Sequence, residues 1–366
     1  MEWSSTPLPV VAMVMAMVEC TGTLTARQRA GPPKPGRTCV IACSARDDSN
    51  SGAQRNARMD LSVIICTRNR SSSLRRTLET LVLATAPPET AWELIIVDNG
   101  STDDTTEVIE SFAGLLPVQM VFEPLAGLSN ARNAGVAAAT GAYIIWTDDD
   151  VDVGSQWLAA YQQAFRAWPD AAVFGGPISP LLEAPSPAWF ADNLDLLHLL
   201  LATRQFGPSM RQLSVEDDLI PFGANFAIRT IEQKRYLYDP VLGAGSNNAR
   251  LGEETVLIKQ LLLDGASGYW VPEAAVMHRI ILARQSLAHV EDYFVRLGRT
   301  VAHGSLTAED NSYLQRLIRH FIARLANRFL LAASKPWLPA RMWLPRFMSH
   351  AFHKGALEQV VQFRAA

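Results

Sequence analysis

One stretch restricts the fold more than any other: Gly141-Ala142-Tyr143-Ile144-Ile145-Trp146-Thr147-Asp148-Asp149-Asp150-Val151. Tyr143 to Trp146 is an apolar, β-branched and aromatic run of strand length, which predicts a buried strand. It ends abruptly in three carboxylates. Adjacent acids repel one another unless a cation neutralises them, and hard divalent cations take oxygen ligands while bridging substrate phosphates. The stretch therefore predicts a site for a phosphorylated substrate and Mg²⁺ or Mn²⁺ at the carboxyl edge of an α/β sheet. Taken alone, it also fits a solvated acidic turn after an edge strand.

The surrounding pattern favours the site. Leu61 to Cys66 reads as a buried strand running into Thr67-Arg68-Asn69-Arg70. A helix follows, with Leu74, Leu78, Leu81 and Val82 on one face. Leu94 to Val97 is a second strand, ending in Asp98-Asn99-Gly100, and Ser101 with Asp104 has capping-box spacing for the next helix. Val118 to Phe122 is a third strand, and Gly127 to Ala138 a helix of small residues carrying Asn130, Arg132 and Asn133. This alternation predicts an α/β fold with a doubly wound, mostly parallel sheet and right-handed crossovers. Ligands bind such sheets at the carboxyl ends of strands, where three ends here carry polar punctuation. The chain has neither a Gly-rich dinucleotide fingerprint nor a phosphate-cradling loop with Lys, which disfavours Rossmann dehydrogenases and P-loop NTPases.

With 366 residues, 48% apolar and 19% charged, the chain is long and apolar enough for a globular core of one large or two moderate domains. Residues 1–58 differ: the apolar run Val10–Val18 is too short to span a bilayer, and Thr21–Arg58 lacks periodicity, so this segment is expected to be a disordered extension before Met59. Cys20, Cys39, Cys43 and Cys66 show no metal spacing with His, and Cys66 reads as a buried thiol in a reducing, cytoplasmic compartment.

After Phe174-Gly175-Gly176-Pro177 the alternation fades, and a Pro-punctuated segment with Trp189, Phe190 and Leu194–Leu201 reads as an acceptor-side insertion or lid. Gly252-Glu253-Glu254 opens a helix that buries Leu257 and Leu261. Tyr293, Arg296 and Arg299 share a later helix, either solvated or phosphate-facing. From Asn311 onward nine Lys and Arg oppose a single acid, Glu358, with apolar residues interleaved at helical spacing and Trp337, Trp343 and Phe347 among them. That is the pattern of a basic amphipathic segment on a membrane surface, or of helices packed on a neighbour.

Ser62–Arg70, Ile95–Asp103, Gly127–Asn133 and the Asp148–Asp150 triplet together resemble the family 2 glycosyltransferases. The resemblance covers roughly residues 60 to 300 and implies the GT-A fold: a nucleotide-binding half, 59–151, and a mixed acceptor half, 152–305, followed by C-terminal helices at 306–366. It implies inverting transfer of a sugar from a nucleotide-sugar, usually a UDP-sugar, to an acceptor hydroxyl of a glycan or lipid-linked acceptor. By this resemblance Thr67 and Arg68 border the base and ribose, Asp98 binds the nucleobase, and Arg132 lies near the nucleotide. Asp148 and Asp150 form the D-x-D pair; Asp149 is extra to that spacing and counts with the donor-binding residues, and which two of the three acids bind stays open. Asp150 ligates the metal, Asp148 lies near ribose or metal, and His278 ligates the metal or touches the diphosphate. Asn225 lies in the segment beside donor and acceptor. Glu254 stands where the family's base is Asp, with Glu253 the alternative; which of the two acts stays open. Nucleic acid is not an expected partner. A sugar-phosphate nucleotidyltransferase and a catalytically inactive nucleotide-sugar-binding protein are the competing readings; the first wants a Gly-rich basic loop after the first strand, which Thr67-Arg68-Asn69-Arg70 is not.

Overall fold

The computed structural model describes residues 40–41, 59–243, 251–304 and 313–365. The extension expected at 1–58, apart from 40–41, and most of the Gly243–Gly252 loop lie outside them. The described residues form two compact units. One runs to Leu181 and includes Leu201–Ile280; the other comprises Leu182–Leu200 and Ile281 onward.

The first unit is built on a sheet whose strands are β1 (Val40–Ile41), β2 (Leu61–Thr67), β3 (Trp92–Asp98), β4 (Val118–Phe122), β5 (Tyr143–Asp148), β7 (Val173–Gly175), β9 (Arg211–Gln212), β10 (Asn225–Arg229) and β11 (Gly268–Trp270). Among the described residues its order is β1-β4-β3-β2-β5-β10-β7-β11-β9. β4, β3, β2 and β5 are parallel, whereas β10 runs antiparallel to both β5 and β7. The chain therefore has a doubly wound parallel half and a mixed half. A smaller sheet has the order β6 (Val151–Val153), β12 (Val276–Ile280), β8 (Ile178–Leu182).

Side chains of successive strand residues go to opposite faces, and both faces here are covered. Val63, Ile65, Ile96 and Ile145 join one core with α1 (Ser71–Val82), α2 (Thr105–Ser111) and α4 (Trp157–Ala167). Ile64, Ile95, Val97, Ile144 and Trp146 join the other with α3 (Leu128–Ala138) and α7 (Glu253–Leu263). Each such fully buried side chain contributes roughly 1.5–3 kcal/mol. The small residues of α3 allow close approach: a Cβ on Gly135 would lie 2.7 Å from Ile64 Cγ2. Cys66 lies on β2 as expected, half-buried rather than fully buried, and desolvation pushes its thiol up to about 12, which disfavours the thiolate.

Two local expectations need correction. On α1 the buried face is Leu74, Thr77, Leu78 and Leu81, and Val82 is exposed. Thr77 is inside because its hydroxyl donates to the Asp149 carbonyl. Ser101 does not cap α2: Asp104 occupies the N-cap without a side-chain bond, and Ser101 Oγ accepts from the Asn69 amide at 2.9 Å.

The parallel strands are in register at one edge, Thr67 beside Asp98 and Cys66 beside Asp148. Winding reverses between β2 and β5, the switch point at which such sheets open a crevice.

The second unit contains α5 (Ala188–Ala191), α8 (Leu287–Gly304), α9 (Tyr313–Ser334) and α10 (Ala340–Ala365); α6 (Thr230–Gln233) belongs to the first. Gly298 of α8 and Gly355 of α10 meet at a close crossing, where a Cβ on either would collide with backbone of the other helix. The segment read as a lid packs within this unit: Phe190 is buried, and the Trp189 and Trp343 ring centroids are 6.4 Å apart. Several basic residues of the C-terminal stretch find partners there, Arg341 with Asp195 at 2.7 Å and Lys354 with Glu291 at 2.8 Å. On α8 Arg296 pairs with Asp292, Arg299 with Glu358, and the Tyr293 hydroxyl donates to the Leu199 carbonyl.

Candidate active site

The loops following β2 and β3 are stitched together. Asn69, in the left-handed region at φ 52°, accepts the Thr102 amide on Oδ1 at 2.7 Å, and Asp103 accepts the Ser71 amide at 3.0 Å. Asp98 accepts the Ser101 amide at 2.9 Å, so the acid expected at the nucleobase also closes its own turn. Arg68 beside it is exposed. Asn99 donates to the Glu123 and Leu125 carbonyls and accepts from the Gly127 amide, which fixes the entry to α3.

The three acids ending β5 have different surroundings. Asp149 is buried; Thr67 donates its hydroxyl to it at 2.7 Å and Arg70 pairs with it at 2.7 Å. Thr67 thus holds an acid rather than presenting its hydroxyl to a ligand. Burial pushes Asp149 up to about 7, against the pull of Arg70. The Asp149 backbone carbonyl accepts from Ser73, Thr77 and Arg279, and so anchors the turn to α1 and β12. Asp150 pairs with the other Arg70 nitrogen at 2.7 Å and lies 3.4 Å from His278 Nε2. Asp148 is the most open of the three, with its side chain 36% exposed and 3.9 Å from Arg132. Burial still raises its carboxyl, again against an arginine.

Arg132 crosses the site. Buried on α3 and lying over the Tyr238 and Trp146 rings, it reaches Glu253 at 2.8 Å and Glu254 at 3.5 Å. Burial disfavours its charge, but the two glutamates outweigh that and raise its pKa. Burial, with the neighbouring Glu254 charge, pushes Glu253 up to about 7. Both acids lie in the first turn of α7, where the helix dipole favours them. Gly223 passes directly over this group: a Cβ there would lie 2.9 Å from Arg132 Nη2 and 3.2 Å from Glu254 Cδ.

Asn225 does not belong with the ligand-facing set. Its amide is fully buried; Oδ1 accepts from Trp157 Nε1 and the Tyr161 hydroxyl, and Nδ2 donates to the Pro177 and Ala274 carbonyls. Every hydrogen-bonding function of the side chain is spent on joining β10 to its neighbours.

A metal site fits part of the expected set. His278 Nδ1 lies 2.7 Å from the Leu201 carbonyl, which can only accept, so Nδ1 carries the proton. In the neutral ring Nε2 then keeps its lone pair, 3.4 Å from the Asp150 carboxylate. An imidazole nitrogen and a carboxylate oxygen are donors of the kind a Mg²⁺ or Mn²⁺ ion takes, and the same Asp150 oxygen also accepts from Arg70 at 2.7 Å. Asp148 does not join them, and among the described residues no three His, Cys, Asp or Glu are grouped to hold a metal.

Arg70, Arg279 and Tyr238 are site residues the motif reading missed. Arg70 closes the first motif, where a cation three residues beyond the strand end can swing back onto the neighbouring strand's acids. Arg279 and Tyr238 carry no local signal, since only the tertiary fold brings them to β5.

Residues 62–189 match the family described as Glycosyl transferase family 2. A validoxylamine A glucosyltransferase of Streptomyces hygroscopicus subsp. limoneus is 35% identical over 135 residues, covering 35% of this chain and 29% of that protein. The succinoglycan biosynthesis protein ExoM of Rhizobium meliloti is 24% identical over 82% of this chain and 93% of its own length. The chain thus spans under a third of the first of these relatives. A mannosyltransferase of Pyrobaculum calidifontis, solved with GDP-Man and Mn²⁺, has the same fold, with a TM-score of 0.50 at 16% identity over 96% of this chain and 95% of that one.

Proposed function

We infer that this chain, a member of the family 2 glycosyltransferases through residues 62–189, is an inverting hexosyltransferase that moves a sugar from a nucleotide-sugar to an acceptor hydroxyl. One observation carries the reading. Arg132 stands 3.9 Å from Asp148 and 2.8 and 3.5 Å from Glu253 and Glu254, so the acids of the donor side and a candidate base share one cation.

In this reading Asp150 and His278 hold a Mg²⁺ or Mn²⁺ ion. When bound, the ion supplies positive charge to the diphosphate as the bond to the sugar breaks. Asp148, with Arg132 behind it, faces the ribose side, and Arg68 and Asp98 border the base, with Thr67 holding Asp149 beside them. Glu254 accepts the proton of the acceptor hydroxyl as that oxygen bonds to the anomeric carbon; its side chain is the more open of the glutamate pair. Glu253 holds Arg132 in place. UDP is the expected nucleotide, and a growing glycan or lipid-linked saccharide the expected acceptor class. A peripheral station on the cytoplasmic face of a membrane, through residues 311–366, belongs to the same proposal.

A thermal-shift panel of UDP-, GDP- and dTDP-sugars with and without Mn²⁺ tests it, because a ligand bound to the native state raises Tm. The expected result is a metal-dependent rise with one nucleotide class and slow hydrolysis of that donor. No rise with any of them would overturn the reading.

A further inference from the structure

The outer face of α9 is apolar and faces solvent. At about 100° per residue, Leu314, Ile318, Phe321, Ile322, Leu325 and Phe329 fall within an arc of about 100°. All six are exposed, Phe329 to 76%. The opposite face is the one that packs: His320 meets His353 and Asn327 meets Ser349, both on α10. An apolar stripe of this size turned outward needs a cover.

The charge around it identifies the cover. Arg324 and Arg328 border one edge of the stripe and Arg319 the other, and α9 carries no acid. Trp337, 84% exposed, follows the helix end. A second copy of the chain would bring the same arginines against these, at a cost from like charge. An anionic bilayer complements them, takes the apolar side chains into its acyl boundary, and accepts tryptophan at headgroup depth. No helix among the described residues is long and apolar enough to cross a membrane.

We propose that α9 lies flat on an anionic membrane, with its Leu314–Phe329 stripe inserted and Arg319, Arg324 and Arg328 on lipid headgroups. This deepens the peripheral reading by naming the surface, and it stands apart from the sugar chemistry.

The test is sedimentation of the full chain with vesicles of phosphatidylcholine, alone or mixed with phosphatidylglycerol. Wild type is expected to bind the mixed vesicles, more weakly as salt rises. Ile322→Ser with Phe329→Ser should lower the partition coefficient by about tenfold or more, with far-UV circular dichroism unchanged because both positions are exposed. Arg319→Glu with Arg328→Glu should remove the preference for anionic vesicles. If wild type binds and both double variants bind equally well, α9 is not the contact and the proposal falls, although a peripheral protein remains. It falls equally if wild type ignores anionic vesicles, or if the apolar variants change only self-association in analytical ultracentrifugation. Donor-dependent thermal shifts, unaffected by these substitutions, report separately on the sugar chemistry.

Discussion

An Arg132 guanidinium nitrogen lies 2.8 Å from a Glu253 carboxylate oxygen, with both side chains almost wholly withdrawn from water. The pair ties α3 to α7 across the crevice above β5. Removing one partner of a buried pair strands the other's charge, which costs about 3–5 kcal/mol. Arg132→Gln should lose stability of that order in urea unfolding. Adding Glu253→Gln to it should recover part of the loss, since less unpaired charge remains. A single variant as stable as wild type would mean the pair contributes little.

Asp150→Asn keeps the size of the side chain and removes its charge. Arg70 retains Asp149, so the fold should hold. Mn²⁺-dependent stabilisation by the donor, and transfer, should both disappear. Calorimetric titration of donor with and without Mn²⁺ checks this; unchanged metal-dependent binding would remove Asp150 from the ligand set.

Glu254→Gln should lower kcat on the order of 10²–10⁴-fold while leaving donor affinity near wild type, as loss of a general base does. Glu253→Gln should instead loosen Arg132 and weaken donor binding. The opposite pattern would exchange the two roles. No kcat effect from either would place the base elsewhere.

His320 and His353 share an Nδ1–Nδ1 hydrogen bond of 2.9 Å between α9 and α10, and burial lowers both to about 4. Above pH 6.5 the rings are neutral folded or unfolded. Below it the unfolded chain takes up protons that the folded pair refuses until about pH 4, so stability falls as pH drops through that window. Chemical unfolding from pH 7 to pH 4, followed by circular dichroism, should show the slope, and His320→Gln with His353→Gln should flatten it. An unchanged slope in the double variant would assign it to other groups.

The parallel half was legible because each layer announces itself locally. Continuous apolar runs demand strands covered on both faces, and alternation with helices of one apolar face leaves the doubly wound sheet as the economical solution. Register then follows, which is why Thr67, Asp98 and Asp148 arrive at one edge. The mixed half has short strands and Pro-rich connections, and its pairing rests on contacts far apart in sequence. Asn225 shows the difference. A motif position marks it for the ligand, yet the fold surrounds it with Trp157, Tyr161 and two carbonyls, and an unsatisfied buried amide is too costly for it to serve both.

The sequence by itself determined the strand ends, the acids upon them and the amphipathic character of α9, because those depend on residue type and spacing along one element. Tertiary structure alone decided which acid meets which cation. Asp149 and Asp150 are neighbours in the chain, but only Asp150 faces His278, because β12 runs antiparallel to β6 and carries the ring across from more than a hundred residues away. Likewise only packing determined which face of α9 stayed in water, since the helix pattern is the same whichever side finds a partner.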